Sequence, residues 1–328
     1  MKKEYYEQLI IGAGPAGLTA AYELTKAGEK NFLVLEKRNQ VGGLAATRVF
    51  KDFRYDIGPH RFFTKNKEID DLFLEVLGDD AIKVNRLTRI LFKGTYFNYP
   101  LSPFNALFGL GVLNSIIILF SYISARIKSM LKLNEINNFE DWVVDKFGKK
   151  LYMNFFKNYT EKVWGIDCKD IGKDWASQRI KGLSLMTALR NALFPNSKNK
   201  PKSLIDTFYY PKLGAGMLWE KFESILVNNN IEVMKESEVV NITKESGDFK
   251  IIFRNKNIFK TVYAKHIFFS NPLLQFINIF DNKTPENVIE AAQNLRYRNH
   301  ISVHLCINEK LFDDNWIYVH SPDLKVAR

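Results

Sequence analysis

A glycine-spaced turn between two apolar runs, near the start of the chain, limits the fold more than any other feature of the sequence. Gly12, Gly14 and Gly17 follow an apolar, strand-like run with the spacing GxGxxG. Glu36 comes nineteen residues after Gly17, at the end of a second apolar run, residues 32–35. A strand, a glycine turn, a helix, a second strand and an acidic residue in this order are typical of a βαβ unit that binds a dinucleotide.

Each residue of this pattern has a predicted role in such a site. Gly12 permits the tight turn, and Gly14 lets backbone N–H groups approach a pyrophosphate. Gly17 lets the following helix pack close to the first strand. That helix begins at about Pro15, so its positive end faces the phosphates. We expect Glu36 to accept hydrogen bonds from the hydroxyl groups of the adenosine ribose.

Composition and charge restrict the class of protein. With 328 residues, of which 46% are hydrophobic, the chain can bury a sizeable core, and its length suggests two domains. The formal net charge of +11 is dispersed along the sequence, and no nucleic-acid-binding motif is present, so we expect no nucleic-acid partner. A dispersed basic surface favours anionic small molecules or an anionic membrane face, although merely soluble proteins also carry one.

The two cysteines, Cys168 and Cys306, lie far apart in the sequence, without a CxxC or a histidine-rich ligand spacing. This usage argues against a disulfide framework, a structural zinc site and an iron–sulfur centre, and we predict no metal site. We expect a reducing compartment, with the cytoplasm as the default location, because the first residues show no signal-peptide pattern.

Residues 107–125 form a strongly apolar stretch that is followed by Arg126 and Lys128. The stretch approaches the length of a transmembrane helix, but polar residues and glycines interrupt it. We predict two buried or surface-exposed helices, broken near Asn114, and favour packing in the protein core. Peripheral contact with a membrane and a true membrane span are the alternatives.

Four segments of the sequence resemble the flavin-containing amine oxidase superfamily, which includes protoporphyrinogen oxidases, phytoene desaturases and, as a relative, UDP-galactopyranose mutase. The first two segments are widespread in FAD enzymes, whereas the last two are similar to the mutase and its close oxidoreductase-like homologues. The resemblance extends weakly to residues 210–217 and 270–272. The four segments are residues 12–17, 36–47, 55–64 and 159–165.

The resemblance implies that the dinucleotide is FAD. A second glycine pair, Gly42 and Gly43, lets the backbone approach the cofactor again, as an extended FAD requires. In the superfamily, the segment at Gly58 passes beside the isoalloxazine ring, and the strand that contains Val239 contacts the adenine through backbone groups. The cofactor-binding residues that we expect are Gly12, Gly14, Pro15, Ala16, Gly17, Glu36, Lys37, Gly42, Gly43, Leu44, Ala45, Gly58, Pro59, His60 and Val239.

The resemblance also implies a substrate site. His60 and Arg61 face the flavin or, alternatively, form a polar turn that closes a hairpin. Lys162 and Trp164 line the substrate pocket or belong to ordinary helix packing. Arg179 matches the first of two arginines that hold the substrate pyrophosphate in the mutase. We predict these five residues as catalytic, with Arg61, Lys162 and Arg179 as electrostatic clamps for an anionic substrate.

The predicted fold class is α/β. A discontinuous Rossmann-like FAD-binding domain, residues 1–65 and 205–275, is expected around a largely helical, inserted substrate domain, residues 66–204 and 276–328. Alternation of apolar residues predicts a further strand over residues 301–307. Superfamily members continue beyond the point that corresponds to Arg328, so we expect the C-terminal part of the family fold to be missing.

The sequence departs from the family at three places, of which the first concerns a contact to the cofactor phosphates and the other two weaken a strict mutase assignment. Leu44 stands where the amine oxidases carry an arginine after the glycine pair. The position of the mutase's second pyrophosphate-binding arginine falls on Leu183. No tyrosine near residues 214–216 corresponds to the one that stacks on the mutase's substrate.

Three functions are therefore open. The first is an FAD-dependent oxidoreductase whose flavin accepts hydride from a small, anionic substrate. This scheme needs no catalytic base and fits a sequence without a Ser/His/Asp or Cys/His constellation. The second is a mutase-like, flavin-dependent isomerase of a nucleotide sugar. The third is a truncated, non-catalytic remnant.

Overall fold

A computed structural model describes residues 4–99, 103–179, 207–281 and 284–328, within two compact units. The first unit comprises Met1–Val84 and Phe208–Cys306, and the second comprises Asn85–Thr207 and Ile307–Arg328. The strands are β1 (Tyr5–Ile11), β2 (Phe32–Leu35), β3 (Thr47–Phe50), β4 (Phe53–Asp56), β5 (Ala81–Asn85), β6 (Thr88–Phe92), β7 (Thr95–Asn98), β8 (Thr207–Pro211), β9 (Glu232–Met234), β10 (Ser237–Glu245), β11 (Asp248–Asn255), β12 (Ile258–Phe269) and β13 (Trp316–Val319).

Helices make up most of the second unit. In the first unit, other helices cover the sheet. The helices are α1 (Pro15–Lys26), α2 (Lys67–Leu77), α3 (Pro103–Leu110), α4 (Val112–Met130), α5 (Phe139–Phe147), α6 (Lys149–Leu151), α7 (Asn158–Trp164), α8 (Lys173–Arg179), α9 (Gly216–Asn228), α10 (Leu273–Ile279) and α11 (Glu286–Gln293). A π-helical segment, Tyr152–Lys157, joins α6 to α7, and a 3₁₀ turn covers Gly43–Ala45.

The first unit is built on a six-stranded sheet with the order β10-β11-β12-β1-β2-β9. Strand β12 pairs with β1 in parallel, β1 with β2 and β2 with β9 likewise, whereas β10, β11 and β12 are antiparallel. The pairing of β12 with β1 confirms the prediction that late strands rejoin the first βαβ unit. The α/β fold class with a discontinuous Rossmann-like domain is therefore confirmed.

Both faces of the sheet are covered, which explains why β1 and β2 are apolar at successive positions. Because side chains alternate along a strand, Ile10 points to one face and Leu9 to the other. On the first face Ile10 packs with Leu18 of α1 and Phe222 of α9. On the second face Leu9 belongs to a cluster that also receives Phe276 of α10.

The unit boundaries differ from the expected residues 65/66 and 275/276. Helix α2, expected in the substrate domain, belongs to the first unit because Phe73 and Leu77 are buried in the same cluster as α1 and α9. The Lys221 ammonium of α9 donates to the Leu77 carbonyl oxygen at 2.9 Å, which holds the end of α2 in place. Helix α10 also belongs to this unit, since it packs on β10 and the sheet.

The second unit has a core of aromatic side chains between its helices and a three-stranded sheet of order β13-β6-β7. Phe97 of β7 meets Phe155 edge-on, with ring centroids 5.5 Å apart, and both are buried. The hairpin β6–β7 turns at Lys93 and Gly94, as a lysine–glycine pair between two apolar runs predicts, and both residues have positive φ. Residues 195–201, whose content of Pro, Asn, Ser and Lys predicts a linker, lie outside the described residues.

Three sequence predictions about local structure differ from the structure: a strand, the position of a helix break and the burial of a helix. Residues 301–307 pair with no strand among the described residues, and Ile301, Val303 and Leu305 are exposed. The helix break lies at Gly111, whose φ of 82° ends α3, and not at Asn114, whose side chain donates to the Leu110 carbonyl oxygen. Helix α4 is also not a core helix, because most of its apolar side chains are exposed.

Gly17 fixes the distance between α1 and β1, which gives the first test. A Cβ at this position would lie 1.9 Å from the carbonyl oxygen of Gly12, a backbone atom that cannot move aside. We expect Gly17→Ala to lower the free energy of unfolding by about 3 kcal/mol, at the upper end of overpacking costs. Urea unfolding measures this change.

Gly172→Ala is the matched control, because a Cβ there meets nothing within 4 Å and its backbone is unstrained. An unchanged urea midpoint for Gly17→Ala would contradict the close approach of helix and strand.

Candidate functional site

The glycine turn has the geometry expected of a dinucleotide site. Gly12 has a φ of 99°, and its N–H donates to the Leu35 carbonyl oxygen at 2.8 Å, which ties the turn to the end of β2. A Cβ on Gly12 would lie 2.4 Å from the hydroxyl oxygen of Ser270 and 2.6 Å from the amide oxygen of Asn271. The turn is therefore closed on one side by the segment after β12.

The N-terminus of α1 is open toward this turn. Gly14 is the N-cap residue and has no side chain to cap the helix, and Pro15 occupies the first helical position. The backbone N–H groups of the first turn, at Ala16 and Gly17, thus receive no side-chain cap and add to the positive end of the helix dipole. This arrangement suits the diphosphate of a dinucleotide.

The second glycine pair lies directly against the first turn. The N–H of Gly42 donates to the Ala13 carbonyl oxygen at 2.8 Å, and Gly42 and Gly43 both have positive φ. A Cβ on Gly43 would lie 3.1 Å from the Cα of Gly14. The two glycine segments therefore form one cradle of bare backbone. Leu44, beyond the pair, is exposed, and Ala45 ends the 3₁₀ turn.

Glu36 is buried at the centre of this arrangement. Its Oε2 accepts a hydrogen bond from the Ala13 N–H at 2.8 Å, and its Oε1 accepts one from the Arg38 N–H, also at 2.8 Å. Each carboxylate oxygen has a second lone pair. The carboxylate can thus hold the glycine turn to the loop after β2 and still accept a hydrogen bond from each ribose hydroxyl.

A small cleft continues from Glu36 toward β10. The Lys37 ammonium pairs with Glu238 at 2.6 Å, and Arg254 pairs with the other carboxylate oxygen at the same distance. Hydrogen bonds from these two cations lower the pKa of the Glu238 carboxyl. Val239 lines the cleft at a bulge in β10, between Val239 and Asn241, where edge-strand backbone faces away from the sheet.

The glycine cradle, the Glu36 carboxylate and the cleft at Val239 together fit the adenosine diphosphate half of FAD. Sequence reasoning did not assign Asn271 and Gln275, although both line the cleft. The only sequence signal for them is the weak resemblance at residues 270–272.

Sequence reasoning also missed the role of Asp56. Its carboxylate accepts hydrogen bonds from the Thr47 and Tyr210 hydroxyls and from the Ala215 N–H. The Thr47 hydroxyl oxygen accepts from the Gly216 N–H at 2.8 Å, so the hairpin β3–β4 is fastened to the start of α9. Burial and the hydrogen bond to Asp56 raise the pKa of the Tyr210 phenol.

Gly58, Pro59 and His60 form the loop after β4. A Cβ on Gly58 would lie 3.7 Å from Nε2 of His300, which is 2.9 Å from the Ser302 hydroxyl oxygen. His60 is half-buried in this loop and Arg61 is exposed. The place of this loop beside a flavin stays a prediction, as does the alternative that it forms a polar turn.

Lys162 does not face open space as a substrate clamp would. Its ammonium donates to the carbonyl oxygens of Val319, Ser321 and Val326, at 3.0, 2.9 and 3.2 Å. Burial lowers its pKa because the charged form loses hydration. Its three N–H groups hold the C-terminal segment to α7, so the structure gives it an anchoring position rather than the predicted clamp position.

Trp164 and Arg179 lie near the ends of two helices of the second unit. The Trp164 ring meets Trp175 edge-on, with centroids 5.2 Å apart, and remains partly exposed. Arg179 is the last residue of α8. Leu183 lies outside the described residues. Their roles toward a substrate therefore stay predictions, as does that of Arg61.

Comparison with known proteins supports the fold and the dinucleotide site. The profile of the family "NAD(P)-binding Rossmann-like domain" matches residues 10–76. An L-amino-acid oxidase from Crotalus adamanteus is 46% identical over 89 residues, which cover 27% of this chain and 16% of the oxidase. A probable UDP-galactopyranose mutase from Klebsiella pneumoniae is 27% identical over 176 residues, covering 50% of this chain and 42% of the mutase.

The crystal structure of reduced UDP-galactopyranose mutase has a similar fold, with a TM-score of 0.73 at 20% identity. The match covers 89% of this chain and 62% of the mutase, so the chain spans less than two thirds of its relatives. Residues 10–76 match an NAD(P)-binding Rossmann-like domain, and the fold of the chain is similar to those of reduced UDP-galactopyranose mutase and putrescine oxidase. The predicted resemblance to these proteins is confirmed at the level of the fold.

The carboxylate of Glu36 joins two loops by hydrogen bonds, and a substitution at this position tests their contribution to stability. Glu36→Gln keeps the shape but replaces one acceptor oxygen by an NH₂ group, so either Ala13 or Arg38 loses its partner. An unsatisfied buried N–H costs roughly 1–3 kcal/mol, and we expect urea unfolding to show that loss. Glu29→Gln, at an exposed position, should leave the midpoint unchanged. Equal midpoints for the two variants would contradict the bridge.

The burial of His320, close to Lys162, predicts that the free energy of unfolding depends on pH. Its ring stacks on Tyr159 with centroids 4.4 Å apart, and burial lowers its pKa from 6.5 to about 4. The unfolded chain therefore binds this proton at higher pH than the native protein does. The stability contributed by neutral His320 is complete above pH 6.5 and is lost as the pH falls toward 4.

The expected loss over this window is about 3 kcal/mol. His320→Phe, which keeps a ring against Tyr159, should remove this part of the pH dependence. Urea unfolding at pH 7.5 and 4.5 compares the two proteins, and identical pH slopes would refute the assignment.

Proposed function

We propose that this chain acts as an FAD-dependent oxidoreductase on a small, anionic substrate. The observation that carries the proposal is the cradle in which Gly43 lies against Gly14, with Glu36 buried beside it and an open cleft leading to Val239. A second backbone approach of this kind serves an extended dinucleotide. When bound, the flavin supplies a two-electron acceptor for hydride.

The residues of the first unit bind and orient the cofactor in this proposal. The N–H groups at the start of α1 hold the diphosphate, and Glu36 accepts from the ribose hydroxyls. Backbone groups at the bulge beside Val239 face the adenine. The pair Lys37–Glu238 closes the cleft next to them. Binding therefore depends mainly on backbone groups, and cationic side chains have a small part.

An anionic substrate is supported by the net charge of +11 and by the two arginines at predicted substrate positions, Arg61 and Arg179. We exclude Lys162 from the predicted substrate clamps because its ammonium donates to three carbonyl oxygens. His60 and Trp164 stay in the proposal as residues that line the substrate side and exclude water.

A second candidate is an isomerase that acts on a nucleotide sugar. The similarity in fold to reduced UDP-galactopyranose mutase and the matched segment of the Klebsiella mutase favour it. The missing counterparts of the second arginine and of the stacking tyrosine weaken it. Both candidates require bound FAD.

The first experiment separates binding of FAD from folding. Gly14 has extended backbone, and a Cβ there would meet only the Cα of Gly43, at an ordinary 3.8 Å. We expect Gly14→Val to keep the unfolding midpoint but to raise the dissociation constant of FAD at least tenfold, about 1.4 kcal/mol. Titration of the apoprotein with FAD measures this.

The purified wild-type chain should show flavin absorption bands at about 375 and 450 nm. A folded wild-type chain that fails to bind FAD would sink the proposal and favour the non-catalytic alternative.

The second experiment separates the two chemistries. Turnover of UDP-galactopyranose by the dithionite-reduced protein, without net electron transfer, would establish the isomerase and reject the oxidoreductase. Consumption of oxygen or of a quinone with an oxidisable anionic substrate, without ring contraction, would do the reverse.

A further inference from the structure

Helix α4 in the second unit has an inverted distribution of polarity. Its inward face consists largely of small residues and residues with a hydroxyl group. These residues recur at helical spacing and are buried or half-buried: Ser115, Ile118, Tyr122, Ala125 and Ser129. Its opposite face is apolar and open. Leu113, Ile117, Phe120 and Ile127 in the helix and Leu131 at its C-cap follow one another at intervals of four, three, seven and four residues, and Leu113 is 79% and Phe120 68% exposed.

We call this outward row of five residues the apolar face of α4. Soluble proteins rarely leave so continuous an apolar strip open to water, since burial of such side chains is favourable. Neighbouring side chains enlarge the strip, among them Phe108 of α3, Val112 and Met130. A surface that excludes water must therefore cover it for part of the time.

The inward face is fixed to the rest of the unit by polar contacts. The Ser121 hydroxyl oxygen accepts from the Lys150 N–H at 3.1 Å, and the Ser129 hydroxyl donates to Asp145 at 3.2 Å. A Cβ on Gly148 would lie 2.7 Å from the Ser121 carbonyl oxygen, so the helix backbones are in close contact. By length and composition α4 could cross a membrane, as core helices of soluble proteins also could. A helix docked along one side fits an orientation parallel to a membrane surface.

The charges around helix α4 indicate what kind of surface covers its apolar face. Residues 81–134 contain seven Lys or Arg residues and no Asp or Glu. Arg126, Lys128 and Lys132 follow the most apolar part of the strip, and Lys128 and Lys132 are exposed. Asp145 is buried behind the helix and accepts from Asn134 and Ser129, and Glu135 is an exposed carboxylate that follows Lys132 in the sequence. Apolar side chains beside an excess of cations match the acyl and headgroup layers of an anionic lipid bilayer.

We propose that the apolar face of α4 docks on an anionic lipid surface, with its apolar side chains below the headgroups and Arg126, Lys128 and Lys132 among the lipid phosphates. The long stems of these cations let their charges reach the headgroups while the helix lies flat. This docking does not depend on the flavin chemistry. It places the enzyme where an amphiphilic or membrane-dissolved reactant is concentrated.

Sedimentation of the full chain with lipid vesicles tests the proposal. We expect binding to phosphatidylcholine vesicles that contain phosphatidylglycerol and at least tenfold weaker binding to phosphatidylcholine alone. Arg126→Gln/Lys128→Gln/Lys132→Gln should abolish this preference. Leu113→Asn/Ile117→Asn/Phe120→Asn should abolish binding to both vesicle types. Ile258→Asn/Phe259→Asn, which changes exposed apolar residues of the first unit, is the matched control and should bind like the wild type.

Insertion is measured separately with an environment-sensitive dye. Cys306 is exposed and Cys168 is buried, so Cys306→Ser gives a background for labelling Phe120→Cys. Anionic vesicles should shift the emission of a nitrobenzoxadiazole label at this position to the blue, whereas a label at Val227→Cys, exposed on α9, should not respond.

Two results would overturn the proposal. One is the absence of sedimentation with anionic vesicles while all variants keep the wild-type unfolding midpoint. The other is a lipid-free dimer in analytical ultracentrifugation that Leu113→Asn/Ile117→Asn/Phe120→Asn converts to a monomer, because a second copy would then cover the face.

Discussion

The buried carboxylate of Glu36 is the contact on which the first unit depends. It accepts from the N–H of Ala13 in the glycine turn and from the N–H of Arg38 in the loop after β2. Two loops are thereby joined at the carboxyl ends of parallel strands, where open α/β sheets bind their ligands, and the buried N–H of Ala13 is satisfied. One side chain thus supports the fold and prepares the nucleotide site.

The glycines around Glu36 have different roles, although they belong to one motif. Gly17 is required by packing, since its neighbour is the carbonyl oxygen of Gly12. Gly14 is required by no contact inside the protein and leaves a gap that suits a ligand. Asp56 works at a distance from this motif, where it fastens β4 to the start of α9. The site is therefore a rigid backbone surface held by two buried carboxylates.

The second unit distributes its polar groups in the opposite sense to an ordinary soluble helix bundle. The Ser121 and Ser129 hydroxyls of α4 are hydrogen-bonded within the unit, while most of its leucine, isoleucine and phenylalanine side chains are exposed. Lys162 is likewise turned inward, where three carbonyl groups replace its water. A buried ammonium group needs hydrogen-bond acceptors, and an exposed apolar face needs a surface that shields it from water.

The sequence alone determined the βαβ unit with its glycine turn and the hairpin turn at Lys93 and Gly94, because glycine spacing and apolar runs act over a few residues. Only the tertiary structure decided which unit holds α2, which groups surround Lys162, and which face of α4 is open. Lys162 meets carbonyl groups more than 150 residues away in the sequence, from 319 onward. Such contacts depend on how whole elements pack, and the local period of a helix is the same whichever side faces the core.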